Sequence, residues 1–400
     1  MTCLVCSTSS RHVVAALLLG TLMGCGPRYV DGSGGSAGLS GSGGDAATET
    51  AGAGGSGETA GAGGSDDSGS AGGRVGYDSV IGCPAARWPD AASLTLLPTD
   101  SEVSAWRLSG DGRVVGGRLG GTTMRWRPRS GFETLEGLRY EVTSLSCDGS
   151  VLLTADTSGG SYRHRVGEAP EQIIPSGDYY QPEPLSMTPD GDVVVGHLIG
   201  TTDVGPHPVR WTAETGLLSI TPLENTLALR VSPDASWVVG LDPLQIFRFT
   251  FGGTKQILQS WVPTDGQNTT PILVSTDART YFFNGSPDFH SLFIDSIRQE
   301  VACPSVRCQP IAISGTGKVL VVVGPTGPAV AAPWATFIWT AQHGFRTLNE
   351  LMSEHGAPAP GILFANDVSD DGQVFTGYMD NPIGAPYQAF YATLPPSAYD

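Results

Sequence analysis

The stretch Ser186-Met187-Thr188-Pro189-Asp190-Gly191-Asp192-Val193-Val194-Val195-Gly196 contains the pattern that decides the fold of this chain. In it, an Asp-Gly pair precedes a run of valines that ends in glycine. Asp-Gly between apolar runs favours a tight hairpin, because its backbone tolerates positive φ and matches the twist of the flanking strands. The stretch therefore predicts two antiparallel β-strands joined by a short turn.

Variants of this pattern recur along the chain, at intervals of 37 to 55 residues. Counting the copy above, the seven turns are marked by Asp111, Asp148, Asp190, Asp234, Asp277, Thr316 and Asp371. Most copies continue with an aromatic stretch such as Arg210-Trp211-Thr212 and then with a glycine that opens a Leu- or Ile-rich strand. A mean spacing of about 43 residues is typical of the four-stranded blade of a propeller.

One such unit cannot bury both faces of its own sheet, whereas a ring of units can, and a ring leaves only short protected edges. The last unit ends without its final strand, and an unassigned strand at residues 92–98 precedes the first unit. We therefore expect an all-β chain folded as a β-propeller, with seven blades and with the N-terminal strand completing the last one. Six or eight blades would also fit, and a β-solenoid or a pair of sandwiches is the structural alternative.

The order Ser-x-Asp-Gly-x-Val-Val-x-Gly, Arg-Trp-Thr and a glycine-led Leu strand resembles the HAF-type extracellular repeat of secreted bacterial proteins. The best copy runs from Ser186 to Gly196 with Arg210-Trp211-Thr212, and the resemblance covers roughly residues 92–394. The chain departs from the repeat at Asp234-Ala235, Asp277-Ala278 and Thr316-Gly317. The resemblance implies architecture and export, and it implies no particular chemistry.

The N-terminus has the pattern of an export signal. Arg11 precedes an uncharged stretch at residues 13–23, which is too short to span a bilayer as a mature helix. The stretch ends at Leu22-Met23-Gly24-Cys25, which looks like a bacterial lipobox. We therefore expect a signal peptide at residues 1–24 and a lipidated Cys25 that anchors the protein to a membrane. An ordinary signal peptide cut nearby is the alternative.

Residues 25–82 form a Gly/Ser/Ala-rich segment that cannot supply a hydrophobic core. We expect a disordered linker here, acting as a stalk between the lipid and a propeller at residues 83–400. Gly26 after the cysteine resembles the sorting pattern for the outer membrane. The expected location is the bacterial cell envelope, at the outer membrane or the cell surface.

The chain is acidic, with 22 Lys and Arg against 39 Asp and Glu and a net charge of −17. Nucleic acid is thereby excluded as a partner, because phosphates require a basic surface. We expect a monomer whose propeller face binds a glycan or a protein.

Four cysteines remain after the signal and Cys25, and an even number in an exported protein indicates two disulfides. Cys303 and Cys308 lie five residues apart and would close one loop. Cys83 and Cys147 would then join the segment entering the first blade to the turn of the second.

No complete metal or catalytic set is evident, so we expect no cofactor and no catalytic residue. His197 and His207 flank a loop that contains Asp203, and the three would be a weak candidate for metal binding. The turn aspartates at 111, 190, 192, 370 and 371 would either ring a Ca²⁺ site or bond their own turns, and turn chemistry is favoured. Arg125, Arg210 and Arg248 precede aromatic residues at matching places, and we expect them to pair with acids at the surface.

Two functions follow. The first is a lipid-anchored, non-catalytic binding or scaffold propeller. The second is an exported polysaccharide hydrolase or lyase, for which Asp203, Asp242 and Asp288 are the candidate carboxylates because each follows the apolar run of its unit.

Overall fold

The structure is a computed structural model that describes residues 83–84, 87–98, 103–135, 138, 140–155, 160–174, 180–200, 206–220, 226–242, 245–260, 271–276, 280–284, 289–294, 297–302, 304, 308–327, 332–380 and 387–400. The predicted signal peptide, Cys25 and the linker up to residue 82 lie outside these residues. Among the described helices, none has the length and the apolar character needed to cross a bilayer.

In the described part of the chain, the strands form seven four-stranded antiparallel sheets, named I to VII in chain order. Sheet I contains β2 (Val103–Leu108), β3 (Val115–Leu119), β4 (Thr122–Arg127) and β5 (Gly131–Thr134). Sheet II contains β6 (Glu141–Leu145), β7 (Val151–Ala155), β8 (Ser161–Arg165) and β9 (Glu171–Ile174). Sheet III contains β10 (Tyr180–Met187), β11 (Val194–Gly200), β12 (His207–Thr212) and β13 (Gly216–Ser219).

The remaining four sheets repeat the same order. Sheet IV contains β14 (Leu227–Val231), β15 (Trp237–Asp242), β16 (Gln245–Thr250) and β17 (Lys255–Ser260). Sheet V contains β18 (Pro271–Val274), β19 (Thr280–Asn284), β20 (Phe289–Ile294) and β21 (Ile297–Ala302). Sheet VI contains β22 (Gln309–Ile313), β23 (Leu320–Pro325), β24 (Trp334–Thr340) and β25 (Gly344–Thr347). Sheet VII contains β26 (Ile362–Val368), β27 (Val374–Asp380), β28 (Gln388–Thr393) and, at its outer edge, β1 (Ser93–Leu96).

The hydrophobic core is divided among the interfaces between consecutive sheets. Trp126 of sheet I packs with Tyr391 of sheet VII, and Trp211 of sheet III packs with Val151 of sheet II. Each of the other five interfaces likewise has its own buried cluster. Because sheet VII packs on sheet I, the sheets form a ring, and this is the all-β propeller that the sequence predicts.

The first strand of each sheet lies nearest the axis of the ring, because first strands of neighbouring sheets contact one another. The apolar runs after the turns form the second strand of their sheets, and most of their valines are buried. Each first strand carries a β-bulge three residues before the turn, as at Trp106 between Ala105 and Arg107. A bulge re-aims the neighbouring side chains, so it decides which residues face the axis.

The chain ends meet in sheet VII. β1 pairs with β28 in antiparallel register, with Leu94 opposite Ala392 and Leu96 opposite Phe390. The Trp88 Nε1–H, in the segment before β1, donates to Asp371 Oδ2 at 2.8 Å. The N-terminal segment therefore lies on the last sheet before the chain enters the first.

One helix interrupts the all-β pattern between sheets VI and VII. α1 spans Leu348–Glu354 and begins at a capping box, in which Thr347 and Glu350 each accept from the other's backbone N–H. The sequence contains this Thr-x-x-Glu signal, but the Leu-rich stretch was expected to continue as a strand through Leu348. Leu348, Leu351 and Met352 are buried against sheets VI and VII, which explains why the helix forms here.

Candidate functional site

The repeated turns share one network of hydrogen bonds. In sheet I, the Ser109 Oγ–H donates to Asp111 Oδ1 at 2.7 Å, and Val114 N–H donates to Ser109 Oγ at 2.9 Å. Arg113 N–H donates to the same Asp111 oxygen at 3.0 Å. The hydroxyl–aspartate pair recurs at Ser146–Asp148, Thr188–Asp190, Ser232–Asp234 and Ser369–Asp371. These aspartates therefore stabilise their own turns, as turn chemistry predicts.

In sheet III the hydroxyl comes from Thr188 and not from Ser186, which the repeat resemblance had placed at the start of the motif. Thr188 lies two residues before Asp190, the spacing that the turn requires. The Ser186 oxygen instead accepts from Val231 N–H of sheet IV at 3.4 Å. The motif is thus better written with Ser or Thr two residues before the aspartate.

Backbone bonds tie consecutive turns together at one end of the ring, which we call the turn face. Asp111 N–H donates to Cys147 O at 2.9 Å, and Cys147 N–H donates to Pro189 O at 2.8 Å. Asp370 N–H donates to Gly110 O at 2.9 Å, which links sheet VII to sheet I. Similar bonds join sheet V to VI and VI to VII. The turn face is therefore a hydrogen-bonded belt that runs from sheet V through sheets VI, VII, I and II to sheet III.

Four charged side chains converge on the axis inside this belt. Arg107, Arg230 and Asp367 occupy the same place in three sheets, two residues before the turn hydroxyl. Asp370 follows the hydroxyl of sheet VII, and its Oδ1 lies 3.9 Å from the Arg230 Nη2 of sheet IV. The same Nη2 donates to Thr276 Oγ1 of sheet V at 2.5 Å. These contacts join sheets IV, V and VII.

The two aspartates on the axis are partly buried, and 15 % of the Asp370 side chain is exposed. Burial raises the pKa of Asp367, against the opposing effect of Arg107. Its two oxygens accept from Leu108 N–H and Val368 N–H, both at 2.9 Å. Burial also raises the pKa of Asp370, against the opposing effect of Arg230. Buried acids with a raised pKa are a recurring feature of functional sites and of structural ion pairs alike.

A disulfide lies beside these acids. Cys83 is bonded to Cys147, with the two Cα atoms 5.4 Å apart. The Cys83 sulfur packs against Gly110, and a side chain at Gly110 would also contact the Asp370 carboxylate. Cys308 is disulfide-bonded as well. The other member of the predicted pair, Cys303, lies outside the described residues.

Arg125 pairs with an acid, as predicted, but the arginine is buried and does not lie at the surface. Only 2 % of Arg125 is exposed, and its Nη1 donates to Gly149 O of sheet II at 3.0 Å. Its Nη2 pairs with Glu133. The Arg210 guanidinium lies 4.3 Å from the centroid of the Phe251 ring. Arg248 is exposed, but its Nε donates to the amide oxygen of Gln256 and not to an acid.

In sheets II and VII, as in sheet I, a side chain at the position of Arg125 on the third strand donates a hydrogen bond to the turn of the next sheet. Arg163 Nε donates to Gly191 O at 2.7 Å, and the Tyr391 hydroxyl donates to Gly112 O at 3.0 Å. Sheet VI has Ile338 at this place, and the Tyr399 hydroxyl of the C-terminus donates to Gly372 O instead. These polar side chains therefore stabilise the interfaces between sheets.

The histidine pair proposed from the sequence does not converge. His207 is paired with Leu198 and His197 with Pro208 across β11 and β12, so the two imidazoles project from opposite faces of sheet III. Burial lowers the pKa of His197 to about 4. Asp203 lies outside the described residues, within which no group of three His, Cys, Asp or Glu could hold a metal ion.

The candidate catalytic carboxylates cannot be placed together. Asp203 and Asp288 lie outside the described residues. Asp242 ends β15 and accepts from Lys255 Nζ at 3.0 Å. The acids that the structure does bring together, Asp367 and Asp370, were not among the candidates. The sequence signal that was missed is their position: Asp367 lies two residues before the turn hydroxyl, and Asp370 directly follows it.

The other end of the ring, which we call the loop face, carries an aromatic site at the rim of sheet VII. One part is a cavity of about 520 Å³ beside sheet VII, formed mainly by sheet VI and α1, whose walls include Trp334, Phe345, Arg346, Glu350 and Ile362. The other part is a ring stack on sheet VII. Its members are Phe364, Tyr378 and Tyr387.

No family model matches the chain, and no curated protein matches its sequence significantly. Solved structures do resemble it. The oligogalacturonate lyase of Vibrio parahaemolyticus is 12 % identical with a TM-score of 0.56, covering 77 % of this chain and 94 % of that one. An oligogalacturonate lyase in complex with manganese is 15 % identical with a TM-score of 0.52, over the same shares of the two chains.

The β-propeller domain of Cps50 (Swd1) from Myceliophteria thermophila is also similar. It is 14 % identical with a TM-score of 0.50, and the match covers 75 % of this chain and 99 % of that domain. At these identities the likeness shows the fold alone: the chain is a β-propeller.

Proposed function

We propose that this protein is a non-catalytic binding propeller of seven blades, closed by β1 and held on a bacterial envelope by a lipid at Cys25. Seven four-stranded sheets and the pairing of β1 with β28 support the blade count and the closure. The lipobox ending at Cys25, the linker that follows it and the resemblance to HAF-type repeats support export and anchoring.

The observation that carries the binding function is the difference between the two ends of the ring. At the turn face, the Arg230–Asp370 pair and the Cys83–Cys147 disulfide occupy the region of the axis. The side chains there bond to one another and to the backbone belt. The loop face carries a cavity and exposed aromatic rings, which are features of a ligand site. We therefore assign binding to the loop face.

A screen of the full-length chain against immobilised glycans and peptides tests this function. The expected result is saturable binding by the natively folded chain in a reductant-free buffer, with no chemical change in the ligand. A chain that binds nothing in the screen, or that turns over what it binds, would contradict the proposal. For the anchor, Cys25→Ser should move the protein from the membrane to the soluble fraction and abolish incorporation of labelled fatty acid.

An exported polysaccharide lyase or hydrolase is the second candidate. Two of the similar structures are oligogalacturonate lyases, and burial raises the pKa of both Asp367 and Asp370. A neutral carboxyl group can serve as a general acid. Incubation with polygalacturonate, followed by ultraviolet absorbance for unsaturated products and by assay of new reducing ends, separates the two functions. Product formation that Asp370→Asn abolishes would favour the enzyme.

A further inference from the structure

We propose that the rim of sheet VII at the loop face is a binding site for a neutral carbohydrate chain. This inference rests on the proposed binding function and names its ligand class and place. The site, called the sheet VII rim site, consists of the cavity beside α1 and the ring stack on sheet VII. Ile362 of the cavity and Phe364 of the stack are two residues apart on β26, roughly 7 Å along a strand.

Exposed aromatic residues concentrate at this rim. Among the described residues, five large hydrophobic side chains are exposed, and Trp334 and Tyr387 are the two aromatic ones. Trp334 begins β24 and Tyr387 directly precedes β28, so both lie at the loop-face end of adjacent sheets. The flat C–H faces of sugar rings stack on aromatic rings, which supply a large contact area at little cost in conformational entropy.

The Tyr387 ring is held in place before any ligand arrives. Phe364 and Tyr378 stack with their ring centroids 5.1 Å apart and an interplanar angle of 17°. The Tyr387 ring lies edge-on to Tyr378 at 5.2 Å. Although Tyr387 is 67 % exposed, its ring is therefore supported by the stack. Such preorganisation reduces the entropy lost on binding.

The cavity offers both donors and acceptors beside its aromatic wall. The Arg346 guanidinium and the Glu350 carboxylate line it together with Trp334. One Glu350 oxygen accepts from Thr347 N–H at 3.0 Å, so the capping box fixes this side chain. A carboxylate has further acceptor positions, and a ligand that donates hydrogen bonds can use them in place of water.

The need for a hydrogen-bond donor opposite Glu350 favours a sugar over a proline-rich peptide. Sugar hydroxyl groups donate and accept, whereas proline has no backbone N–H with which to meet the Glu350 acceptor. A volume of about 520 Å³ also lies within the range of small-molecule sites. The cavity and the stack together fit a chain of several sugar rings.

The charge at the rim selects a neutral chain. Arg346 is paired with Glu354, Glu350 lines the cavity, and Asp380 is the strand partner of Ile362. The carboxylates of Glu350, Glu354 and Asp380 thus outnumber the Arg346 guanidinium in and beside the site, on a protein whose net charge is −17. A polyanion such as polygalacturonate would be repelled, so the ligand differs from the one named for the similar lyases.

Affinity electrophoresis and titration calorimetry with the full-length chain test the site. The probes are neutral gluco-, manno- and chito-oligosaccharides of six units, polygalacturonate and a decaproline peptide. We expect binding of at least one neutral series and none of polygalacturonate. Trp334→Ala should weaken that binding about tenfold or more, and Tyr387→Ala about three- to tenfold.

Leu218→Ala is the matched control, because Leu218 is a 47 % exposed hydrophobic residue on sheet III, and it should leave the affinity unchanged. Circular dichroism of each variant guards against a loss of folding. If all three variants retain the binding, the site lies elsewhere. The inference about this rim then fails, while the proposed binding function stands. Preference for decaproline or polygalacturonate, or no binding by any neutral series, would overturn the inference.

Discussion

The two ends of the ring are built from opposite kinds of residue. At the turn face, small and polar side chains form a closed network: Asp370 packs beside Gly110 and Gly315, and the turn aspartates bond their own backbones. At the loop face, Trp334 is exposed at the wall of a cavity and Tyr387 is exposed on a ring stack. Polar groups that satisfy one another stabilise a structure, whereas unsatisfied aromatic surface attracts a ligand. We expect substitutions at the turn face to reduce stability and substitutions at the loop face to reduce binding.

The largest effect is expected from removing the disulfide at the turn face. Cys83→Ser with Cys147→Ser opens a link between residues 64 positions apart. The free energy of unfolding should fall by about 2–4 kcal/mol, because the unfolded chain gains freedom. Guanidinium unfolding with and without reductant measures this change. If reduction of the native chain leaves the midpoint unmoved, the disulfide does not stabilise the turn face.

A methyl group at Gly315 should be nearly as damaging. In Gly315→Ala the new Cβ would overlap with the Asp370 carboxylate, and such overpacking costs about 1–3 kcal/mol. Gly252→Ala is the matched control, because the nearest atom to its added Cβ is Thr250 Oγ1 at 3.7 Å. Thermal unfolding of both variants should show a loss for the first alone. Equal losses would mean that the axis tolerates a larger side chain.

The pH dependence of stability should show two limbs of opposite sign. Burial raises the pKa of Asp367 above its ordinary value of 3.8, so the folded state keeps a proton that the unfolded chain has lost. The free energy of unfolding contributed by this group therefore falls as pH rises from 3.8 through the raised value. Burial alone would raise the pKa of Asp148 too, but hydrogen bonds from Ser150 and Ser146 lower it. That contribution is present above 3.8 and lost as pH falls through the lowered value.

Urea unfolding across the acidic and neutral range checks these signs. Asp367→Asn should flatten the decline above the ordinary aspartate pKa, while Asp148→Asn should change only the acid limb. If the two variants follow the same profile, then burial at the axis does not set the protonation of Asp367.

A gain in stability is expected at one turn. Ala235 has φ 54°, the left-handed conformation that glycine takes at the same place in five other turns. Ala235→Gly should raise the free energy of unfolding by about 1 kcal/mol, because an L-residue is strained there. Ala302→Gly, on an exposed strand position, should instead lose about 0.5–1 kcal/mol. A loss at both sites would argue that packing of the Ala235 methyl outweighs the strain.

The smallest change in stability is expected at the loop face. Tyr387→Ala removes a side chain that is 67 % exposed, and exposed substitutions are usually within about 0.5 kcal/mol. Its unfolding midpoint should match that of the native chain while its carbohydrate affinity falls. A large loss of stability would show that the ring stack serves the fold and would remove the distinction between the two faces.

The sequence predicted the elements whose chemistry is local. The turn needs a hydroxyl, an aspartate two residues later and a residue that accepts positive φ, and all three lie within six residues of chain. The aromatic residues of the third strand, such as Trp126 and Trp211, were expected between sheets and are found there. Arg125 pairs with Glu133, an acid, as expected, but the sequence did not predict its burial. Its other partner, Gly149 O, belongs to the next sheet, and no local pattern predicts that bond.

By itself, the sequence indicated an all-β ring, because one repeated hairpin unit cannot bury both faces of its own sheet and a ring of such units can. Only the tertiary structure decided what stands on the axis and at the rim. Asp370 and Arg230 are 140 residues apart in the chain, yet their side chains lie 3.9 Å apart. Trp334 and Tyr387 lie at the same end of two adjacent sheets. Such meetings depend on how bulged strands are set around a common axis, and the spacing of residues along a chain does not encode that geometry.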